Sequence, residues 1–287
     1  MSKIKIISDS TADIRYESIE KYGIKVLPIN LYFGDEQYRD YFDIKFEEFY
    51  KKLAGEKEIP KTSQISPTVF YDAYKEAADE GFDTVLCFTL SKVGSGTYNN
   101  ANLAANMLHD DGISLDVEVV DTMSYCFMYG RAVEIAAEMA ESGAEKQEIL
   151  DRVYSFLSGQ AAILAVDDIK YLKSGGRVKP SVATVASILD IKPILSIEDG
   201  LVEYIDKVRG SKKVIPKLIS ITEERGIKDA EEIWIVYADV PEKAEELKKA
   251  LEENLGVTVN GISYIGPTVG INVGCGSMAV IFYRKPE

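Results

Sequence analysis

Apolar positions along the first half of the chain follow two alternating periods. Short apolar runs cover 3–8, 25–33, 84–90 and 115–121, and each reads as a strand. Around them, apolar residues return every three or four positions over 14–22, 67–80, 97–109, 125–141 and 145–157, which reads as helix. In the last of these, Ile149, Val153 and Leu157 share one face. Alternation of this kind predicts a mainly parallel sheet flanked by helices. Ligands on such sheets gather at the carboxyl ends of strands, here the loops over 8–13 and 91–97.

The pattern changes after the run at 160–166. Two strand-like runs, 191–197 and 201–208, meet at Asp199-Gly200, a hairpin signal. Helical spacing covers 182–189, 212–225 and 242–254, and further strands are expected at 232–238, 258–264 and 278–283. Hairpin pairing implies a mixed or antiparallel sheet. The expected organisation is therefore α/β in two domains, 1–160 and 161–287, with the boundary near 158–166. The chain has neither an internal repeat nor a low-complexity segment.

Composition narrows the function. The chain has 287 residues, 46% of them hydrophobic, as expected of a globular protein with substantial cores. Its 33 basic residues against 47 acidic ones give a net charge of −14, which argues against nucleic-acid binding. Any anion must be held locally, by amides, hydroxyls and a few cations. Three cysteines without a CxxC pair suggest reduced thiols and a cytoplasmic home. Lys3-Ile4-Lys5-Ile6-Ile7 is too short for a secretory leader, and no apolar run approaches the length of a membrane span.

The most informative stretch is Ser91-Lys92-Val93-Gly94-Ser95-Gly96-Thr97, a tight turn between a strand and an amphipathic helix. First-turn amides lack intrahelical partners, and the helix dipole favours negative charge there, so this turn is an expected anion seat. It is not a P-loop, since no GxxxxGK[ST] pattern occurs, and it does not complete a dinucleotide fingerprint, since Asn99 stands where the last glycine is needed.

Upstream, Pro67 suits the first helical position and Ser66 the N-cap. Thr62 and Ser63 lie one turn too early to cap, which leaves Thr62 open to either a structural or a ligand role. Asp9 and Asp13 suit a metal or a phosphoryl group, but a capped loop with Thr11 or Asp13 as N-cap is preferred.

Tyr171–Val178 reads as a short helix ended by a glycine, leaving Arg177 either solvated or poised on a hinge over an anion or a partner. Between 266 and 276, four glycines in eleven residues suggest close backbone approach to a ligand or another domain, with Asn272 as the polar contact. The single histidine, His109, sits at a helix end away from any serine motif, so neither a Ser–His–Asp hydrolase nor a His/Cys metal site is supported.

Taken in order, Ser8–Asp13, Thr62–Ser66, Ser95–Tyr98, Val120-Asp121-Thr122, Tyr171–Val178, Ile191–Leu195 and Gly266–Gly276 resemble the DegV family of bacterial fatty-acid-binding proteins. The resemblance implies two α/β domains, with an acyl chain buried between or beneath them and the C-terminal domain covering it. It implies a carboxylate held by the Thr62 and Ser95 hydroxyls and the Ser95 and Gly96 amides, with Asn272 as a further ligand contact. It also implies that Arg177 serves phosphoryl transfer by a separate ATP-dependent fatty acid kinase, so that the carrier needs no cofactor and no metal. Contact with a membrane surface would be transient. Asn272 stands where the family usually has a histidine and Cys275 where it has a proline; asparagine still donates a hydrogen bond but relays no proton. The alternatives are a phosphotransferase or hydrolase with Asp9 or Ser95 as nucleophile, and a regulatory protein that senses a small acid.

Overall fold

A computed structural model describes residues 3–183 and 190–284. In chain order it has β1 (Ile4–Asp9), α1 (Tyr16–Tyr22), β2 (Lys25–Leu27), β3 (Asn30–Phe33), β4 (Glu36–Arg39), α2 (Phe46–Gly55), β5 (Lys61–Ser63), α3 (Pro67–Asp79), β6 (Thr84–Thr89), α4 (Thr97–Asp110), β7 (Asp116–Asp121), α5 (Phe127–Glu141) and α6 (Lys146–Ser158). It continues with β8 (Gln160–Ala165), α7 (Ile169–Gly175), α8 (Pro180–Ala183), β9 (Ile191–Glu198), β10 (Leu201–Arg209), α9 (Val214–Glu224), β11 (Ala230–Tyr237), α10 (Pro241–Leu255), β12 (Gly261–Tyr264), α11 (Pro267–Val273) and β13 (Met278–Arg284). The helix expected over 182–189 is described only at its start; 184–189 lie outside the described residues.

The chain divides into two compact units. The first comprises Met1–Asp43 and Thr62–Leu157, the second Ile44–Lys61 and Ser158–Glu287. A single cut at 160/161 therefore needs correction, because 44–61 folds with the second unit. The cause is α2, an aromatic helix absent from the strand-and-helix pattern read above. Its Phe46 ring lies 4.5 Å from that of Tyr264, and its buried Tyr50 donates to the Ile265 carbonyl at 2.8 Å.

The first unit is built on a parallel sheet in the order β2-β1-β6-β7. Every residue of β6 is buried, as expected for a central strand covered on both faces. The run at 25–33 divides at Pro28 into two strands that serve different sheets, since proline cannot donate to a ladder. β3 joins β4 and β5 in a small three-stranded sheet. The C-terminus of β1 and the loop after it lie against α5, where the Cα of Gly130 leaves no room for a Cβ beside the Ala12 carbonyl.

The second unit has a six-stranded mixed sheet in the order β10-β9-β8-β13-β11-β12. All its pairs are antiparallel except β11 with β12. The expected hairpin is present, with Asp199 and Gly200 both at positive φ, 55° and 73°, as a tight two-residue turn requires. On one face Ile163, Val280, Phe282 and Ile235 pack against Leu218 of α9 and Ala244, Leu247 and Leu251 of α10. The spacing of those three α10 residues is one helical stripe.

Candidate functional site

At the carboxyl ends of the parallel strands in the first unit, the loops after β1, β6 and β7, with β5 of the small sheet and the loop that follows it, carry most of the polar residues singled out above. The anchor is Asp9, which is fully buried. Its Oδ2 accepts from the Leu90 amide at 2.8 Å, and its Oδ1 accepts from the Thr11 amide at 2.9 Å and the Tyr129 hydroxyl at 2.8 Å. One carboxylate thus ties the end of β1 to the end of β6 and to α5.

Burial pushes the Asp9 carboxyl above its ordinary range, against the lowering effect of its hydrogen bonds. Because the folded-state value is raised, Asp9 contributes most stability at low pH and less as pH rises through that value. With both oxygens engaged and no exposed surface, Asp9 is a structural clamp. The cap assignments shift accordingly: Asp9 caps the turn over Ser10–Ala12, while Asp13 closes it in the left-handed region at φ 49°.

Beyond Leu90, the Ser91 amide donates to the Ser124 carbonyl at 3.0 Å. The Ser91 carbonyl in turn accepts from the Gly94 and Ser95 amides at 3.0 and 3.1 Å. The Ser95 amide is therefore not available to a ligand in this arrangement, which corrects the expectation that both it and Gly96 supply free N–H groups. The Gly96 amide has no acceptor among the described residues.

The Ser95 hydroxyl accepts from the Thr97 amide at 3.2 Å and lies 2.9 Å from the Thr97 hydroxyl. It is half-buried and keeps hydrogen-bonding capacity toward the site. Two glycines in the turn are dictated by neighbours. A Cβ at Gly94 would strike the Tyr125 hydroxyl, and one at Gly96 would strike Gln64 Oε1.

That second contact brings the β5–α3 loop to the anion seat. Asn100 of α4 reinforces it by donating to the Ile65 carbonyl at 2.8 Å. Thr62, two residues before Gln64, is half-buried, and its hydroxyl has no partner among the described residues. Pro67 opens α3 as expected and Ser66 holds the N-cap position, but the Ser66 hydroxyl lies 3.2 Å from that of Thr68 and makes no capping bond. Thr62, on β5, thus lies two residues before the loop that meets the turn carrying Ser95 and Gly96, all in one unit. Gln64, Ser91 and the fully buried Ser124, whose hydroxyl has no partner among the described residues, join them. Gln64 and Ser91 lie inside motifs already noted; Ser124 lacks any signal because its pairing with Ser91 spans two βα loops.

Asn272 and Arg177 belong to the second unit. The segment read as a glycine-rich connection is partly a helix, α11, and Asn272 lies on it. The Asn272 Nδ2 donates to the Thr268 carbonyl at 2.9 Å, and its Oδ1 packs against Gly175 at the end of α7. The close approaches expected of these glycines are made to side chains of the same unit: Gly270 to Phe49 and Tyr50, Gly274 to Tyr171, and Gly276 to Asp167.

Gly176 ends α7 in the left-handed region at φ 72°, as a glycine C-cap does. Arg177 is exposed, and its Nη1 donates to the Gly175 carbonyl. Its own carbonyl accepts from the Val202 amide at 3.2 Å. That bond pins the backbone of Arg177 to β10, so it does not ride on a free hinge.

Among the described residues, no three His, Cys, Asp or Glu side chains gather as a metal site. No helix among them is long and apolar enough to cross a membrane. Burial raises the Cys87 and Cys126 thiols to about 12.

Comparison with known proteins finds similarity over almost the whole chain. The model of the DegV family, described as one of uncharacterised proteins, matches residues 3–285. A DegV domain-containing protein of Caldanaerobacter subterraneus subsp. tengcongensis is 37% identical over 99% of this chain and all of its own. Two solved structures from Thermotoga maritima are similar throughout. One, a DegV lipid-binding protein, is 32% identical with a TM-score of 0.85, and the match covers 99% of this chain and 100% of that one. The other, whose structure reveals a fatty acid binding function, is 31% identical with a TM-score of 0.83 at the same coverage.

Proposed function

The chain belongs to the DegV family, and from that premise we propose that it binds a long-chain fatty acid and presents the carboxylate to a separate ATP-dependent kinase. The observation that carries the head-group assignment is the pair of donors unused among the described residues on adjoining segments, the Thr62 hydroxyl at the end of β5 and the Gly96 amide, with the Ser95 hydroxyl next to the latter. These donors suit an anion at a helix start, where the dipole adds to the hydrogen bonds. Each hydrogen bond to a charged group is worth about 1.5–3 kcal/mol. An acyl chain removed from water adds about 0.8 kcal/mol per methylene, enough to dominate affinity. The fatty acid binding of the Thermotoga maritima relative supports this ligand class.

In this reading Ser95 orients a carboxylate and Asp9 holds the loops in place. Neither has a base or metal among the described residues that would make it a nucleophile. Arg177, exposed on the second unit, is the residue proposed to serve the kinase step. Asn272 is proposed as a further ligand contact.

Native mass spectrometry of the purified protein, followed by lipid extraction, tests the ligand. A stoichiometric fatty acid adduct is expected, either as purified or after incubation with a fatty acid panel. Absence of an adduct under both conditions contradicts the proposal.

A further inference from the structure

In the second unit a cavity of about 300 Å³, whose lining includes neither Asn272 nor Arg177, opens where β8 ends and α9 and α10 begin. Its floor is apolar, with Ala165, Val214, Ile215 and Met278. Three lysines, Lys192, Lys212 and Lys243, line it in a chain of net charge −14. Lys192 is neutralised by Asp167, whose Oδ1 lies 2.6 Å from its Nζ. Lys212 and Lys243 have no ion-pair partner among the described residues, and neither has Glu246, which shares the lining.

Ser211 and Lys212 add neutral donors to the same lining. Gly210, at φ 87°, turns the chain out of β10, and Ser211 and Lys212 follow at once. The Ser211 hydroxyl and the Ser211 and Lys212 amides have no acceptor among the described residues. Glu246 leaves the unpaired charges at one net positive, so the number of donors, not the charge alone, decides what fits.

We propose that this cavity binds a small phosphate monoester bearing a compact apolar group. Two ammoniums, a hydroxyl and two amides suit three terminal phosphate oxygens, each able to accept more than one bond. A carboxylate offers only two oxygens. The apolar floor takes the organic part of the ester, and a cavity near 300 Å³ is at the small end of ligand pockets.

The test is a ³¹P NMR titration of the whole protein with phenyl phosphate at physiological salt. A saturable shift is expected, weaker binding of inorganic phosphate, and a loss of at least about tenfold in affinity in Lys212→Met with Lys243→Met. Lys213→Met, next in sequence but outside the lining, is expected to bind as wild type. Lys243→Gln alone, on an exposed turn of α10, provides the same test without altering the approach to α9 and is expected to bind more weakly than wild type. No saturable shift at millimolar concentrations, or a double variant that binds as wild type, overturns the assignment. Fatty acid binding is read in parallel and is expected to be unchanged by the lysine variants, which keeps this site distinct from the carboxylate seat.

Discussion

The two units are both α/β, yet they handle polar side chains in opposite ways. In the first, a parallel sheet sends its βα loops to the same end, where Asp9, Ser91 and Ser95 collect, and the segment after Thr62 of β5 meets them through Gln64. In the second, antiparallel pairing distributes its chain reversals between both ends, and its noted residues are tied into packing: Asn272 against α7 and Arg177 along β10. Strand direction thus decides where free donors accumulate. Parallel strands gather residues far apart in sequence, whereas in the mixed-sheet unit donors without a partner among the described residues occur where a single turn leads into a helix, at Ser211 and Lys212.

Substitutions that separate the units test this contrast. The largest effect is expected in the core of the second: Phe282→Ala, at a fully buried position, should cost about 3–5 kcal/mol in chemical denaturation. Next comes the seat of the first. Thr62→Ala with Ser95→Ala should weaken fatty acid binding about a hundredfold, near 3 kcal/mol for two charge-assisted hydrogen bonds, while the melting profile stays that of wild type. Retained affinity in that double variant would remove both hydroxyls from the site.

Smaller effects divide the turn itself. Gly94→Ala forces the buried Tyr125 ring to move and should destabilise the fold by about 1–3 kcal/mol. Gly96→Ala meets only the flexible end of Gln64, so it should spare stability and lower affinity instead; equal losses of stability in the two variants would contradict the geometry. Arg177→Ala should leave fatty acid affinity unchanged and slow acyl phosphate formation in a reconstituted kinase reaction. Loss of binding would make it a ligand contact.

The smallest effect is chemical. Cys87 and Cys126, both buried with thiols near 12, should resist alkylation at pH 8 until the protein unfolds, since almost no thiolate exists there. Rapid native labelling of either would contradict their burial.

Much of this was legible from pattern alone, where periodicity is long and turns are marked. β6, the Gly-Ser-Gly turn, α4 and the Asp199-Gly200 hairpin all declare themselves locally. The misreadings have physical causes. α11 reads as a loop because Pro267, Gly270 and Gly274 crowd it: Gly270 is demanded by the rings of Phe49 and Tyr50, and Gly274, at φ 74°, ends the helix in a backbone conformation that favours glycine. The small sheet of β3, β4 and β5 has strands of three or four residues, too short to show a period. The Asp9 clamp joins residues 81 positions apart, so nothing in its own loop reveals that its carboxylate is already engaged. The loss of the Ser95 amide to the Ser91 carbonyl is a matter of turn geometry that composition does not carry.

The most direct test of the carboxylate seat compares the affinities of stearic acid and its methyl ester for the wild type and for the Thr62→Ala, Ser95→Ala double variant. The seat predicts that the wild type prefers the free acid by about a hundredfold and that the double variant loses most of this preference, with affinity for the ester unchanged. Equal affinities for acid and ester in the wild type, or an undiminished preference in the variant, would show that the head group is held elsewhere.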